Sequence, residues 1–322
     1  MIAIPMLFMV SFVAFVIIQL PPGDILSAKI AAMEAMGDNV SMETTQALRS
    51  QYHLDRPLLV RYFFWIGNFL CGDMGISFEW NRTVSSLIGE RFLYTVVIAV
   101  MAILFTWIVA VPIGIYSALK QYSIGDYIFS SIGYIGMATP QFVLALLLMY
   151  ISLEYFGVTP GGLFSPEYAN APWSVAKVID FLGHIWIPVI LVGASGTAGM
   201  IRILRANLLD ELKKPYVKTA RMKGMATWKL ILKYPVRVAI NPFVSSIGGL
   251  LPNIVSGSVV ISIILGLPTT GSLLMPAILN QDMYLAGSMV LMLTALSFIG
   301  TLISDLLLLM LDPRIRYTAR GK

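Results

Sequence analysis

Six apolar stretches, each about as long as a membrane is thick, leave this chain little choice of solvent. They cover residues 2–20, 92–119, 127–156, 182–203, 238–266 and 285–310. A hydrocarbon core of roughly 30 Å takes about 20 helical residues, and within lipid a backbone must satisfy its own polar groups, as a helix does. The sequence therefore predicts an all-α polytopic membrane protein with six transmembrane helices. Composition points the same way: 57% of the residues are hydrophobic and 12% charged, against about 25% charged in soluble domains. The first stretch lacks a basic flank and a small-residue cleavage pattern ahead of Pro21 and Pro22, so it reads as an uncleaved helix and not a signal peptide. The missing flank leaves open whether Met1 is the true start.

Charge sets the orientation. Ten of the 22 basic residues fall between Ile201 and Pro242, with only Asp210 and Glu211 as acids. Lys and Arg in short segments beside spans remain in the cytoplasm. With both termini inside, the inner segments hold 15 basic residues and the outer ones seven. An even number of spans demands the same placement of the termini. The sequence pI of about 9.2 is thus a topological signal, and nucleic acid is not an expected partner; membrane lipid is. A single cysteine, Cys71, and two distant histidines, His53 and His184, predict neither an internal disulfide nor a metal site.

The outer segment 21–91 is too long for a turn and is predicted to be helical. Ser41 is placed to cap one helix reaching about Tyr52, and a second follows Pro57 as LLVRYFFWIGNFL. Tyr62, Trp65 and Phe69 on that second helix suit a membrane interface, where amphipathic aromatics collect.

Polar punctuation marks candidate walls of a pathway. Thr139 and Pro140 interrupt the third span, and Pro252 and Asn253 the fifth, which also carries Ser256 and Ser258. Proline frees a backbone carbonyl that a membrane tolerates only beside protein or a water-filled cavity. The run Gly193 to Gly199, GASGTAG, predicts close helix packing. Ionisable residues are scarce: Glu154 and Asp305 lie near span ends, and Asp305 is expected to pair with Arg314 or Arg316. Without a midplane acid or histidine, an ion-coupled carrier or channel is the less favoured alternative. No GxxxxGK[ST] phosphate loop occurs, so energy for active transport has to come from another polypeptide.

The basic segment completes the reading. YVKTARMKGMATWKLILKYPVRVAINP, from Tyr216 to Pro242, resembles the cytoplasmic coupling motif of permease subunits of bacterial ABC importers, in particular the dipeptide, oligopeptide and nickel permease family. LDRPLLVRYFFWIGNFLCGDMGIS (Leu54 to Ser77) is similar to that family's outer segment, and LDPRIRY (Leu311 to Tyr317) to its C-terminal signature.

The resemblance implies a first helix at 1–20, an extracytoplasmic helical segment at 21–91, a permease core with five helices at 92–317 and a cytoplasmic tail at 318–322. It implies an ATPase-coupling helix with Ala220 and Gly224 at the family's spacing, flanked by Tyr216, Thr219 and Arg221. Lys218 stands where the wider superfamily has glutamate. It implies no catalysis by this chain and no cofactor in it; ATP and Mg2+ would bind two partner ABC ATPase subunits. A second permease subunit and an extracytoplasmic solute-binding protein would complete the assembly in a bacterial or archaeal inner membrane. Ser262 replaces an acid common in the peptide branch, which keeps an oligosaccharide or other neutral solute open beside di- and oligopeptides. A scaffold without a pathway is the third reading, and the interrupted spans oppose it.

Overall fold

The computed structural model describes residues 3–20, 55–157, 161–247 and 259–311, with residues 46 and 249. Among them the chain is mostly helical, and its β content is one isolated antiparallel bridge between Ile76 and Thr83. The helices are α1 (Ala3–Gln19), α2 (Leu58–Leu70), α3 (Val84–Leu119), α4 (Ile124–Ala138), α5 (Gln141–Phe156), α6 (Pro166–Ala169), α7 (Val175–Leu212), α8 (Pro215–Met222), α9 (Thr227–Lys233), α10 (Pro235–Ala239), α11 (Val259–Ile264), α12 (Gly271–Leu279) and α13 (Met283–Leu311).

Among the described residues three helices, α3, α7 and α13, are long and apolar enough to cross a membrane. The third predicted span is not straight: α4 and α5 meet at a bend of 106°. Thr139 causes it, because a residue before proline avoids helical geometry; its backbone is extended, and its hydroxyl donates to the Ile135 carbonyl at 2.8 Å. Apolar α1 has 17 residues, short of about 20 for a full crossing. The fifth predicted span, 238–266, lies partly outside the described residues, as does the helix expected after Ser41.

Two compact units divide the chain, residues 1–95 with 269–296, and 96–268 with 297–322. In the first unit α1 packs on α2 through Phe15, Tyr62 and Trp65, all buried. This corrects the interfacial role expected for Tyr62 and Trp65. The Tyr62 hydroxyl bonds Ser11 at 2.8 Å, and its ring meets Phe12 and Phe15 edge-on. Phe63 and Phe64 are the rings left exposed on α2.

A buried carboxylate organises the rest of that unit. Asp282 caps α13, accepting from the Leu285 amide at 3.2 Å, while Ser77 Oγ donates to it at 2.5 Å and the Glu79 amide at 3.2 Å. Burial pushes this carboxyl above its usual range, against hydrogen bonds from Ser77 and the backbone that pull it down.

In the second unit the packing reveals helix direction. Thr106 of α3 donates to the Gly193 carbonyl of α7 at 2.9 Å, and a Cβ on Gly114 of α3 would meet Leu204 of α7 at 2.9 Å. Advancing along one helix advances along the other, so α3 and α7 run parallel. By contrast Asp126 of α4 bonds Arg205, whereas Gly133 lies against Ala198, so α4 runs antiparallel to α7. At the opposite end, Lys177 is buried among the carbonyl of Ala171, 2.6 Å away, and the rings of Phe164 and Trp173.

The glycine run divides by position. A Cβ on Gly193 would lie 2.6 Å from Phe105 Cδ1 and 3.0 Å from the Ala102 carbonyl oxygen, while nothing lies within 4 Å of one on Gly199. Gly193→Ala is expected to destabilise by about 1–3 kcal/mol through overpacking. Gly199→Ala is expected to stabilise by about 0.5–1 kcal/mol through helix propensity. Thermal unfolding of the two variants in detergent checks both signs.

Candidate functional site

The basic segment folds as a continuation of α7. This helix does not stop at the predicted span end but runs to Leu212, carrying Arg202 and Arg205 within it. Lys214 then turns extended and Pro215 opens α8, the first helical position, where a missing N–H and fixed φ suit proline. α8 ends at Met222 with Lys223 as its cap, and Gly224 follows with a φ of +75°. The Gly224 amide donates to the Arg221 carbonyl at 3.0 Å and the Met225 amide to that of Ala220 at 3.4 Å. These two bonds form a Schellman motif, which needs a left-handed residue after the cap.

An apolar floor carries the segment. Val217 of α8, Leu230 and Ile231 of α9, and Val236 and Ala239 of α10 share one core with Leu204 and Leu208 of α7. Ala220 and Met225 pack against the same core. Burying such side chains contributes about 1.5–3 kcal/mol for each large one, which anchors α8 to α10 on the end of α7.

The opposite face is open. Tyr216, Lys218, Thr219 and Arg221 point away from that core. Met222 is 81% and Trp228 63% exposed. Lys229 stands over the Trp228 ring, and Tyr216 donates to Glu211 Oε2 at 2.5 Å. Thr219 donates to the Pro215 carbonyl at 3.1 Å. The result is an apolar and aromatic patch on a cationic surface, suited to another protein surface with acidic groups around an apolar cleft. Structure thus brings Tyr216, Thr219, Ala220, Arg221 and Gly224 together on one short element, with Ala220 on its packed side.

The expected pathway residues are not gathered in this way. Thr139 is partly buried and Pro140 exposed at the bend between α4 and α5. Asn253, Ser256 and Ser258 lie outside the described residues. Ser262 is only 1% exposed on α11, so it faces protein and not an open path. Glu154 and Asp305 are exposed, and Arg314 and Arg316, the cations expected beside Asp305, lie outside the described residues.

Sequence reasoning missed the ion pair that holds α4 to α7. Arg205 Nη2 lies 3.0 Å from Asp126 Oδ2, which also accepts from the Tyr122 amide at 3.0 Å. Its signal was present: Ser123 caps α4 and accepts from the Asp126 amide at 3.3 Å, the Ser-x-x-acid pattern of a helix start. Asp282, directly ahead of the last apolar run, carries a simpler signal, an aspartate at a preferred N-cap position.

Comparison with known proteins places this architecture. Residues 110–317 match the family described as binding-protein-dependent transport system inner membrane component. A putative peptide permease protein of Brucella ovis is 32% identical over 322 residues, covering 99% of this chain and 97% of the relative. The oligopeptide transport system permease protein AppB of Bacillus subtilis is 30% identical over 98% of this chain and 96% of its own. OppB of Escherichia coli, an oligopeptide transport system permease protein, is 28% identical over the same shares. With the family match covering most of the chain and the relatives covering nearly all of it, the chain belongs to the family of binding-protein-dependent transport system inner membrane components.

Proposed function

We propose that this chain is a permease subunit of an ATP-driven importer of di- or oligopeptides. The observation that carries the proposal is the family match over 110–317, which contains the preformed, outward-facing element Pro215 to Gly224. In this reading that element seats in an ATPase subunit, with Tyr216, Thr219, Arg221 and Gly224 at the contact and Ala220 anchoring it to the core. Two such ATPases carry ATP and Mg2+, a second permease completes the pathway, and an external binding protein delivers the solute. The chain itself performs no covalent chemistry.

Six spans with both termini inside fit the long helices α3, α7 and α13, the bent pair α4 and α5, and apolar α1. The parallel run of α3 and α7 with α4 opposed is the alternation that such topology requires. Because α8 to α10 share a core with α7, closure of the ATPases would move α7 as a rigid body, the usual currency of alternating access. In this reading the bend at Thr139 and Pro140 borders the path, where a membrane tolerates an interrupted helix. An oligosaccharide cargo rested on the neutrality of Ser262; as that side chain is enclosed, the names of the relatives weigh more and favour peptide. Family membership also displaces the ion-coupled carrier.

The test is ATPase activity of the co-expressed assembly in proteoliposomes, with a peptide pool and an oligosaccharide pool presented on the binding protein. Stimulation by peptide is the expected result. Solute flux by this chain without any ATPase bound would overturn the proposal.

A further inference from the structure

We propose that the crevice between α4 and α7 binds the phosphate of an anionic lipid headgroup. It lies wholly within the second unit and is lined by Phe129, Gly133 and Tyr134 of α4 and by Ala198, Arg202 and Arg205 of α7, among others. The inference rests on the orientation proposed above, which places the basic end of α7 in the cytoplasm, but concerns a site that orientation does not assign.

Helix direction orders the lining by depth. As α4 and α7 are antiparallel, Gly133 and Tyr134 share a level with Ala198, while Phe129 shares one with Arg202 and Arg205. Hydropathy puts the inner edge of these spans near residues 127 and 203. The crevice is therefore apolar toward the bilayer centre and cationic at its inner boundary, the order of a phospholipid itself. At its apolar end the helices pack closely, and a Cβ on Gly133 would lie 3.1 Å from that of Ala198. Its volume is about 40 Å³; a single water needs ~10–15 Å³ on that measure. The space matches a few water-sized groups, the scale of one phosphate.

Charge completes the fit. Asp126 holds the Arg205 guanidinium at 3.0 Å and neutralises it, and the buried Arg205 Nε finds no acceptor among the described residues. Arg202 is exposed and forms no ion pair among the described residues. The crevice thus carries one uncompensated positive charge, matched by the single negative charge of a phosphodiester. Guanidinium and phosphate form strong charge-assisted hydrogen bonds, and basic pockets between spans on the cytoplasmic side suit anionic headgroups. Acyl chains would lie against the exposed side chain of Tyr134, which lines the crevice on its apolar side.

Native mass spectrometry of the purified full-length chain, titrated with phosphatidylglycerol, phosphatidylcholine or inorganic phosphate, tests the site. Retention of phosphatidylglycerol over phosphatidylcholine is expected, with affinity falling about fivefold in Arg202→Gln. Arg237→Gln, which removes an exposed cation elsewhere on the basic segment, should leave it unchanged. Arg202→Gln should keep its unfolding midpoint in lipid-free detergent, separating lost binding from lost fold. Equal retention of both lipids, or no effect of Arg202→Gln, overturns the proposal. Displacement of the lipid by millimolar inorganic phosphate would make it a free-anion site and overturn the lipid assignment. Lost assembly with a second permease at unchanged lipid affinity would make the crevice a subunit contact and likewise overturn it. The assay contains no ATPase, so failed ATPase pairing would count against the transport proposal alone.

Discussion

Asp282→Ala is expected to lower the thermal-unfolding midpoint more than any other single change considered for this chain. Three donors converge on that carboxylate, Ser77 Oγ and the amides of Glu79 and Leu285, in a site closed to solvent. Alanine strands all three, and each buried unsatisfied group costs about 1–3 kcal/mol. It also removes the cap of α13, about 1 kcal/mol. Asn should be milder, since its carbonyl still accepts from Leu285 while its amide faces the Glu79 N–H donor to donor. The pH dependence has a definite sign. Because burial raises this carboxyl in the folded state, stability rises as pH falls through the folded pKa toward the unfolded value of ~3.9. That gain is lost again as pH climbs back through the folded pKa. Asp282→Asn should lack it; identical pH profiles for the two proteins would show that Asp282 is not its source.

Gly224→Val is expected to reduce substrate-stimulated ATP hydrolysis by about tenfold while leaving membrane insertion intact. At φ +75° an L side chain costs about 1–2 kcal/mol, β-branching adds to it, and ~1.4 kcal/mol is a factor of ten in an equilibrium. Nothing lies within 4 Å of the added Cβ, so the penalty is conformational and not a clash inside the chain. Asn tolerates the left-handed region. The expected order of activity is therefore Gly, Asn, Ala, Val, despite the larger size of Asn than Ala. An order that follows volume instead would mean that a partner surface closes tightly on this position, and unaltered hydrolysis in Gly224→Val would remove it from the coupling element.

Much of this was legible locally. Pro215 and Gly224 bound α8, because a fixed φ and a positive φ are properties of single residues. Thr139 and Pro140 end α4 for the same reason, although the size of the bend they produce was not readable from them. The Gly193 to Gly199 run was read as one packing face, yet only Gly193 meets a neighbour closely; spacing indicates a face but not which point of it another helix touches. The chemistry of Tyr62 and Trp65 suits a membrane interface, but the opposing surface of α1 buries them.

What the sequence determined by itself was the solvent, the helices and the caps, since apolar length, proline and glycine act on a backbone without needing a partner. The family motif belongs to the same class. Only the tertiary structure decided which buried polar groups meet: Asp282 with Ser77, 205 positions apart, and Arg205 with Asp126, 79 apart. Their pairing depends on helix direction and register, which no local pattern encodes. Depth along antiparallel helices is likewise a tertiary property, and it is what sets Arg202 and Arg205 beside Phe129 at the cationic mouth of the crevice.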